Sequence, residues 1–353
     1  MKTLSGILAM ALSLFLLLSV LMVAPLGAGA PSIKAPEAEL LWDEGTEHDV
    51  ADLATGDLDG DGKDDVVSLS PEDNTLVAWS GDDGSILWSI DSISGYAVAV
   101  GDITGDDINE VIAGGWDDDY DLDGGSNFGR SGGYVINVYL ANGELDWSYP
   151  TNNEIHDIEL GDVDNDGIDD IVACNDVSSS YIYALKGNQT FPEGWPEAGI
   201  AVGGEVVDLA LGQLDGIGGV DIAAIGDGDG STVYVYNSTS GLLWSEHEVQ
   251  GRSVEIGDVD GDGDNEVVTP YYGPEYSPPS SVPNSGFGET TLYGYVLAFD
   301  GDGGGEPLYV FQGPQDKIFT DIVLGDLDGE PGVEIAAITG NNNLTLFAID
   351  IDS

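Results

Sequence analysis

One segment recurs six times along the chain, and this recurrence limits the fold more than any other feature. It reads VADLATGDLDGDGKDDVVSLS from Val50, VAVGDITGDDINEVIAGG from Val98 and IHDIELGDVDNDGIDDIVAC from Ile155. It returns as VVDLALGQLDGIGGVDIAAI from Val206, RSVEIGDVDGDGDNEVVTP from Arg252 and FTDIVLGDLDGEPGVEIAAI from Phe319. Each copy is an alternating stretch ending in Gly, an acidic loop, and an apolar β-branched stretch, which predicts strand, loop and strand. A third apolar stretch follows, such as TLVAWS from Thr75 or TVYVYN from Thr232. A fourth then carries an aromatic: Trp88, Trp147, Trp244 or Phe311. Four short strands per repeat, at a period of roughly 50 residues, predict an all-β chain folded as a β-propeller with four antiparallel strands per blade.

The chain ends bear on the blade count. The sixth copy stops after its third strand, LTLFAID, whereas LLWDE around Trp42 reads as an orphan fourth strand. Trp42 precedes Asp57 by 15 residues, close to the 14 between Trp88 and Asp102 and the 15 between Trp147 and Asp162. The expectation is six blades over residues 39–353, the last closed by the N-terminal strand, because closure removes edges that would pair between molecules. Ahead of that body, Met1-Lys2, an apolar run from Ile7 to Ala24 and small residues to Ala30 predict a signal peptide or an uncleaved signal anchor over 1–30. Residues 31–38 would link it to the body. The protein is therefore expected to be secreted or on the cell surface, touching a membrane only through such an anchor. Three sequons, at Asn188, Asn237 and Asn343, are compatible with export.

The acidic loops place oxygen donors at alternate positions around glycine turns, a pattern that suits calcium with its six to eight hard oxygen ligands. In the first loop the donors are Asp57, Asp59, Asp61 and Asp65, with the Lys63 carbonyl. The second offers Asp102, Thr104, Asp106 and Glu110 with the Ile108 carbonyl, and the third Asp162, Asp164, Asp166 and Asp170 with the Ile168 carbonyl. The fifth offers Asp258, Asp260, Asp262 and Glu266 with the Asp264 carbonyl, and the sixth Asp326, Asp328, Glu330 and Glu334 with Gly332. The fourth keeps only Gln213, Asp215 and Asp221 and is expected to be weak. About five Ca²⁺ sites result. EF-hand-type modules share the acidic string but need a following helix, whereas DVVSLS, DIVAC and EVVTP favour strand. Zinc and softer metals want His or Cys, which these loops lack.

The GD-x-D-G-D-G-x-x-D grammar followed by a short apolar strand resembles the FG-GAP/VCBS-type repeat of integrin α-subunit propellers and many secreted microbial proteins. The resemblance covers about residues 40–353. It implies a calcium-stabilised propeller whose loops serve adhesion or ligand binding. LVAWSGDDGSILW and VYVYNSTSGLLW also resemble the tryptophan-docking repeats of PQQ-type propellers. Trp42, Trp88, Trp147 and Trp244 are read as packing between blades, while the pattern does not place Trp195. The single Cys174, in DIVACN, reads as a buried core thiol.

Charge narrows the function. With 66 Asp+Glu against 7 Lys+Arg, a net −59, nucleic acid is excluded as a partner, because phosphate neutralisation needs clustered cations. The candidate ligands use 21 of the 66 acids, and five calcium ions would leave the protein at about −49. So large a surplus is expected of a salt-loving, archaeal source, where screening tempers self-repulsion.

Two insertions, from Trp116 and from Pro270, join second to third strands of opposite blades and should rise from the calcium-free face. Their Trp116, Tyr120, Tyr271, Tyr272 and Tyr276 form a candidate ligand face, and Asp117, Asp118, Asp119, Asp121 and Asp123 a further acidic cluster. No catalytic residue is assigned: His48, His156 and His247 fall in different blades without a Ser or Cys motif. The reading is a non-catalytic interaction module for an extracellular protein or polysaccharide. Its alternatives are a polysaccharide lyase, for which Arg130 and Lys317 are the few basic candidates, and a self-assembling subunit of a surface filament or sheath.

Overall fold

The computed structural model describes residues 40–43, 45–46, 49–117, 132–175, 180–226, 232–247, 251–274, 292–301, 303–305, 307–315, 317–327, 332–340 and 345–351. The first sheet contains β1 (Asp52–Gly56), β2 (Asp65–Ser70), β3 (Thr75–Trp79) and β4 (Ile86–Ile90). The second contains β5 (Ile93–Gly101), β6 (Glu110–Asp117), β7 (Gly133–Tyr139) and β8 (Leu145–Pro150). The third contains β9 (Ile155–Gly161), β10 (Asp170–Asn175), β11 (Tyr181–Leu185) and β12 (Ile200–Ala201). The fourth contains β13 (Asp208–Gly212), β14 (Asp221–Ile225), β15 (Thr232–Tyr236) and β16 (Leu242–His247). The fifth contains β17 (Glu255–Gly257), β18 (Glu266–Pro274), β19 (Leu292–Asp300) and β20 (Tyr309–Gln315). The sixth contains β21 (Ile318–Gly325), β22 (Glu334–Gly340) and β23 (Leu346–Ile349).

Every sheet is an antiparallel meander in chain order, so each acidic loop joins a first strand to a second. Second strands are buried on both faces, which is why they read as unbroken apolar runs instead of alternating ones. Val111 joins a core shared by the first and second sheets, while its neighbour Ile112 joins one shared by the second and third. Val267 and Val268 divide in the same way between the fourth–fifth and fifth–sixth cores. Five apolar cores of this kind hold consecutive sheets face to face. Cys174 lies fully buried in the third–fourth core.

First strands touch first strands from one sheet to the next, and all six sheets line one cavity of about 410 Å³. Residues in or just before the first strands, among them Asp52, Val98, Asp157, Asp208, Ser253 and Asp321, line it. The architecture is thus all-β and propeller-like, with sheets set around an axis.

Two expectations are corrected. Residues 40–43 form no strand, and the sixth sheet has three strands among the described residues, with Leu40 and Leu41 exposed. Pairing them would join the two chain ends, the most non-local contact available and the one with the largest closure entropy. Trp116, Tyr271 and Tyr272 belong to strands and not to loops. β6 runs to Asp117 with Trp116 opposite Tyr134, and β18 runs to Pro274 with Tyr271 opposite Tyr295, so aromatic cross-strand pairs extend both hairpins.

The tryptophans are spaced as the repeats require. Indole N–H groups of Trp88, Trp147 and Trp244 donate to the carbonyls of Ala141, Gly187 and Gly301 in the turn after the next sheet's third strand, at 2.8, 3.0 and 2.9 Å. Trp195, which the repeat pattern left unplaced, does the same to Ser238 at 3.0 Å. Its position just before the two-residue β12 hid it in the sequence. Trp42 donates to Gly81 of the first sheet at 3.0 Å, the same contact without the strand.

Candidate metal centres

The first five loops fold by one recipe. Positions four and six take left-handed backbone, at Gly60 and Gly62, Gly105 and Asp107, Asn165 and Gly167, Gly216 and Gly218, and Gly261 and Gly263. This explains the preference for Gly, Asn and Asp there. The turn aims successive amides at the first side chain. Asp57 accepts from Gly60 and Gly62 at 2.7 and 2.9 Å, and Asp258 from Gly261 and Gly263 at 2.7 and 3.0 Å. The closing carboxylate, nine positions in, is buried at the start of the second strand. There Asp65, Asp170 and Glu266 accept from the amides of Leu58, Val163 and Val259. Neighbouring loops are also tied together. The first residue's carbonyl accepts from Asn109 onto Asp57, Val220 onto Asp162, Asn265 onto Gln213 and Val333 onto Asp258, at 2.8–3.1 Å.

Three loops gather carboxylate oxygens within 4.8 Å of one another: Asp57, Asp59 and Asp61; Asp162, Asp164 and Asp170; Asp258, Asp260 and Asp262. All the donors are hard oxygens, which suits a divalent cation of the calcium kind. The third group adds an independent mark. Asp170 is 1% exposed, and both its Oδ1 and the buried Asp164 Oδ1 lack any hydrogen bond. Orphaned buried carboxylate oxygens are costly, and a metal ion would meet the need. Burial, with Asp164 beside it, pushes Asp170 up to about 7 in the metal-free state.

The remaining loops differ. In the second, Asp102, Asp106 and Glu110 form no such group. With Thr104 in place of an acid, Asp102 Oδ1 accepts from the amides of Thr104, Gly105 and Asp106. In the fourth, Gln213 donates its amide to Gly219 O at 2.8 Å, and Asp221 accepts from Leu214, Asp215 and Ser238, so the loop is closed by its own hydrogen bonds. In the sixth, Glu334 accepts from Leu327 at 2.5 Å, while Asp328 and Glu330 lie outside the described residues.

A second acidic assembly was missed in the sequence. Asp52, Asp157, Asp208 and Asp321 sit five residues before the loop's first position and line the axial cavity with Glu159 and Glu255. Asp52 accepts from Val98 N, Asp157 from Leu209 N and Asp208 from Val254 N, each at 2.7 Å, linking each first strand to that of the next sheet. Burial pushes Asp52 and Glu255 up to about 7, Asp157 to about 6 and Glu159 to about 8. Asp208 and Asp321 are raised by the same cause. Glu159 is exposed toward the cavity, and the negative charges of Asp157, Glu255 and Asp52 add to its rise. The signal was the recurrent Asp of VADLATGD, IHDIELGD, VVDLALGQ and FTDIVLGD.

On the opposite face, Trp116 packs edge-on against Tyr134 at 5.1 Å and Tyr271 tilts on Tyr295 at 5.6 Å, both inside their own sheets. Tyr272 is half-buried. Tyr120, Tyr276, Arg130, His48, Asn343 and residues 1–39 lie outside the described residues. His156 stacks on Tyr96 at 5.5 Å in the cavity wall, of which Lys317 is not part, and His247 meets Thr232 at 2.9 Å.

No family model and no curated protein matches the chain. Among solved structures, the chain is similar to a BBS1 N-terminal fragment crystallised with ARL6, at 15% identity and a TM-score of 0.42 over 84% of this chain and 91% of that one. It is similar also to a chain of the Chaetomium thermophilum Polycomb Repressive Complex 2, at 11% identity and a TM-score of 0.46 over 85% and 66%. The V. cholerae biofilm matrix protein Bap1 matches at 16% identity and a TM-score of 0.36 over 88% and 62%.

Proposed function

We propose that the chain is an exported, calcium-stabilised six-bladed β-propeller of the FG-GAP/VCBS type. It would work, without catalysis, as an adhesion or ligand-binding module for an extracellular protein or polysaccharide. The observation that carries the calcium reading is the third loop, where Asp164 and Asp170 keep buried oxygens without partners inside a three-carboxylate group. The first and fifth loops also gather three carboxylates each, at positions one, three and five. Calcium would be held by Asp57, Asp59 and Asp61, by Asp162, Asp164 and Asp170, and by Asp258, Asp260 and Asp262. Bound there, it would offset part of each loop's negative charge and tie its first strand to its second. Residues 40–43 would complete the ring by docking Trp42 on Gly81, without pairing as a strand with β23.

The test is a thermal melt of the full-length protein at fixed high salt, titrated with CaCl₂ and then with excess chelator. A saturable stabilisation, lost on chelation and poorly restored by Mg²⁺, is expected. A flat response with no calcium by elemental analysis overturns the reading. Binding to a panel of polysaccharides and surface proteins should then occur without turnover. Cleavage of a polyuronide would replace the module with a lyase, and self-association at high salt would replace it with an assembly subunit.

A further inference from the structure

Lys186 Nζ lies 2.6 Å from Asp164 Oδ2 and 2.6 Å from Asp166 Oδ2, on two of the acids the sequence assigns to the third loop. We propose that Lys186 is a built-in counter-cation of this loop, holding it in the metal-free protein and setting its calcium affinity below that of the first and fifth loops. The inference rests on the calcium reading above and deepens it.

Four observations support it. First, the carboxylate group differs between loops. It uses positions one, three and five in the first and fifth loops, but positions one, three and nine in the third. Asp166, the missing fifth-position acid, shares the lysine with Asp164, and the Lys186 hydrogen bond holds the Asp166 carboxyl below its usual range. Second, the lysine is anchored. Its amide donates to Thr190 O and its carbonyl accepts from Gln189 N, both at 2.9 Å, and its side chain is 17% exposed. Third, the same register position, opposite the closing carboxylate, holds Ser80, Leu140, Asn237, Asp300 and Asp350 in the other sheets. The third sheet alone places a cation there, in a chain with 7 Lys+Arg. Fourth, the lysine leaves Asp164 Oδ1 and Asp170 Oδ1 unpartnered, so the loop is only half satisfied. A divalent ion entering would meet those oxygens beside a fixed positive charge, and would gain Asp166 only by releasing the ammonium. Lys63 of the first loop differs: it contacts Asp82 and Asp61 at the surface and is 59% exposed.

The experiment is calcium titration calorimetry of chelated full-length protein, paired with melts with and without calcium. Lys186→Met should tighten one site on the order of tenfold, the scale of a monovalent–divalent repulsion across a few ångströms. It should also lower the metal-free melting temperature while sparing the calcium-saturated one. Lys186→Arg should behave as wild type. Adding Asp170→Asn to Lys186→Met should abolish the tightened site, which assigns it to the third loop. Independently, Asp166→Asn should change affinity less than about threefold, whereas its first-loop counterpart Asp61→Asn should weaken a site by about tenfold or more, since ligand charge tunes calcium affinity. An unchanged isotherm in Lys186→Met, or an equal melting loss with and without calcium, overturns the proposal. Wild-type protein that binds no calcium overturns the calcium reading itself.

Discussion

At the rim, Asp102 draws hydrogen bonds from four successive loop amides, and against the pull of desolvation these hold its carboxyl below the ordinary range. At the axis, Asp157 accepts one strong amide bond across sheets, yet burial lifts it to about 6, and Glu159 beside it rises to about 8. The residue types match and the environments do not. The first-position rim carboxylates lie on glycine turns that bring N–H dipoles to the charge, while the closing Asp170 and Glu266 are lifted by burial as the axial acids are. Axial carboxylates lie on strands packed around a common cavity, where each added negative charge meets the others in poorly solvated space. Turn acids such as Asp102 are therefore suited to concentrating cations, and axial acids to carrying protons.

The largest expected effect comes from emptying the rim. A site that binds only the native state adds about 2.7 kcal/mol at a hundredfold excess over its dissociation constant. Chelation should therefore remove several kcal/mol if the first, third and fifth loops all bind. Asp57→Asn or Asp258→Asn should each remove one such increment from the calcium-dependent part of the melt. Glu159→Gln, at the axis, should leave the calcium response unchanged. If it does not, rim and axis are not independent.

The pH profile of calcium-saturated protein should separate the two regions next. An unfolded carboxyl titrates near about 4, whereas the axial groups titrate from about 6 to about 8 in the fold. Between those values the native state holds more protons than the unfolded state, so stability falls as pH rises. The contribution is complete below about pH 4 and is lost as pH climbs through about 6 to about 8. Melting temperatures at fixed calcium should drop across that interval, and Glu159→Gln with Glu255→Gln should flatten the drop. A melting temperature that rises over the interval would mean the axial acids are ionised and compensated.

Much of this was legible in the sequence, and the gaps have physical causes. The strand–loop–strand grammar is written in residues that must be what they are: Gly or Asn at left-handed positions, acids between them, β-branched residues where a strand is buried on both faces. These place β1 and β2, and likewise β9 and β10, where the repeats predict them. The axial ring escaped because a single recurrent Asp within an alternating strand looks like a solvent-facing position. Only the convergence of first strands turns it inward. The lysine on the third loop escaped because Lys186 lies 16 residues beyond Asp170 and meets it only through strand register.

A smaller effect tests the axial bonds themselves. Asp157→Ala removes the acceptor of Leu209 N and should cost about 1–3 kcal/mol, the range for a buried amide left without a partner. Asp157→Asn keeps an acceptor oxygen while losing the charge, so it should recover most of that stability and weaken the pH dependence. Equal losses in both variants would show that the negative charge, and not the inter-sheet hydrogen bond, is what the position supplies.

The smallest predicted effect lies between rim and axis, at the tryptophans. Trp88→Phe forfeits one indole hydrogen bond to Ala141 O and should cost about 0.5–1.5 kcal/mol, with some packing loss added. Trp42 makes the same bond to Gly81 O, and Gly84 lies directly against its ring as Gly143 lies against Trp88. If the N-terminal segment is part of the ring, Trp42→Phe should cost as much as Trp88→Phe, measured by denaturant melts with unchanged slope. The two losses share one chemistry, so their ratio is more informative than either value. A neutral Trp42→Phe beside a costly Trp88→Phe would detach residues 40–43 from the ring and leave the β23 edge to find another partner.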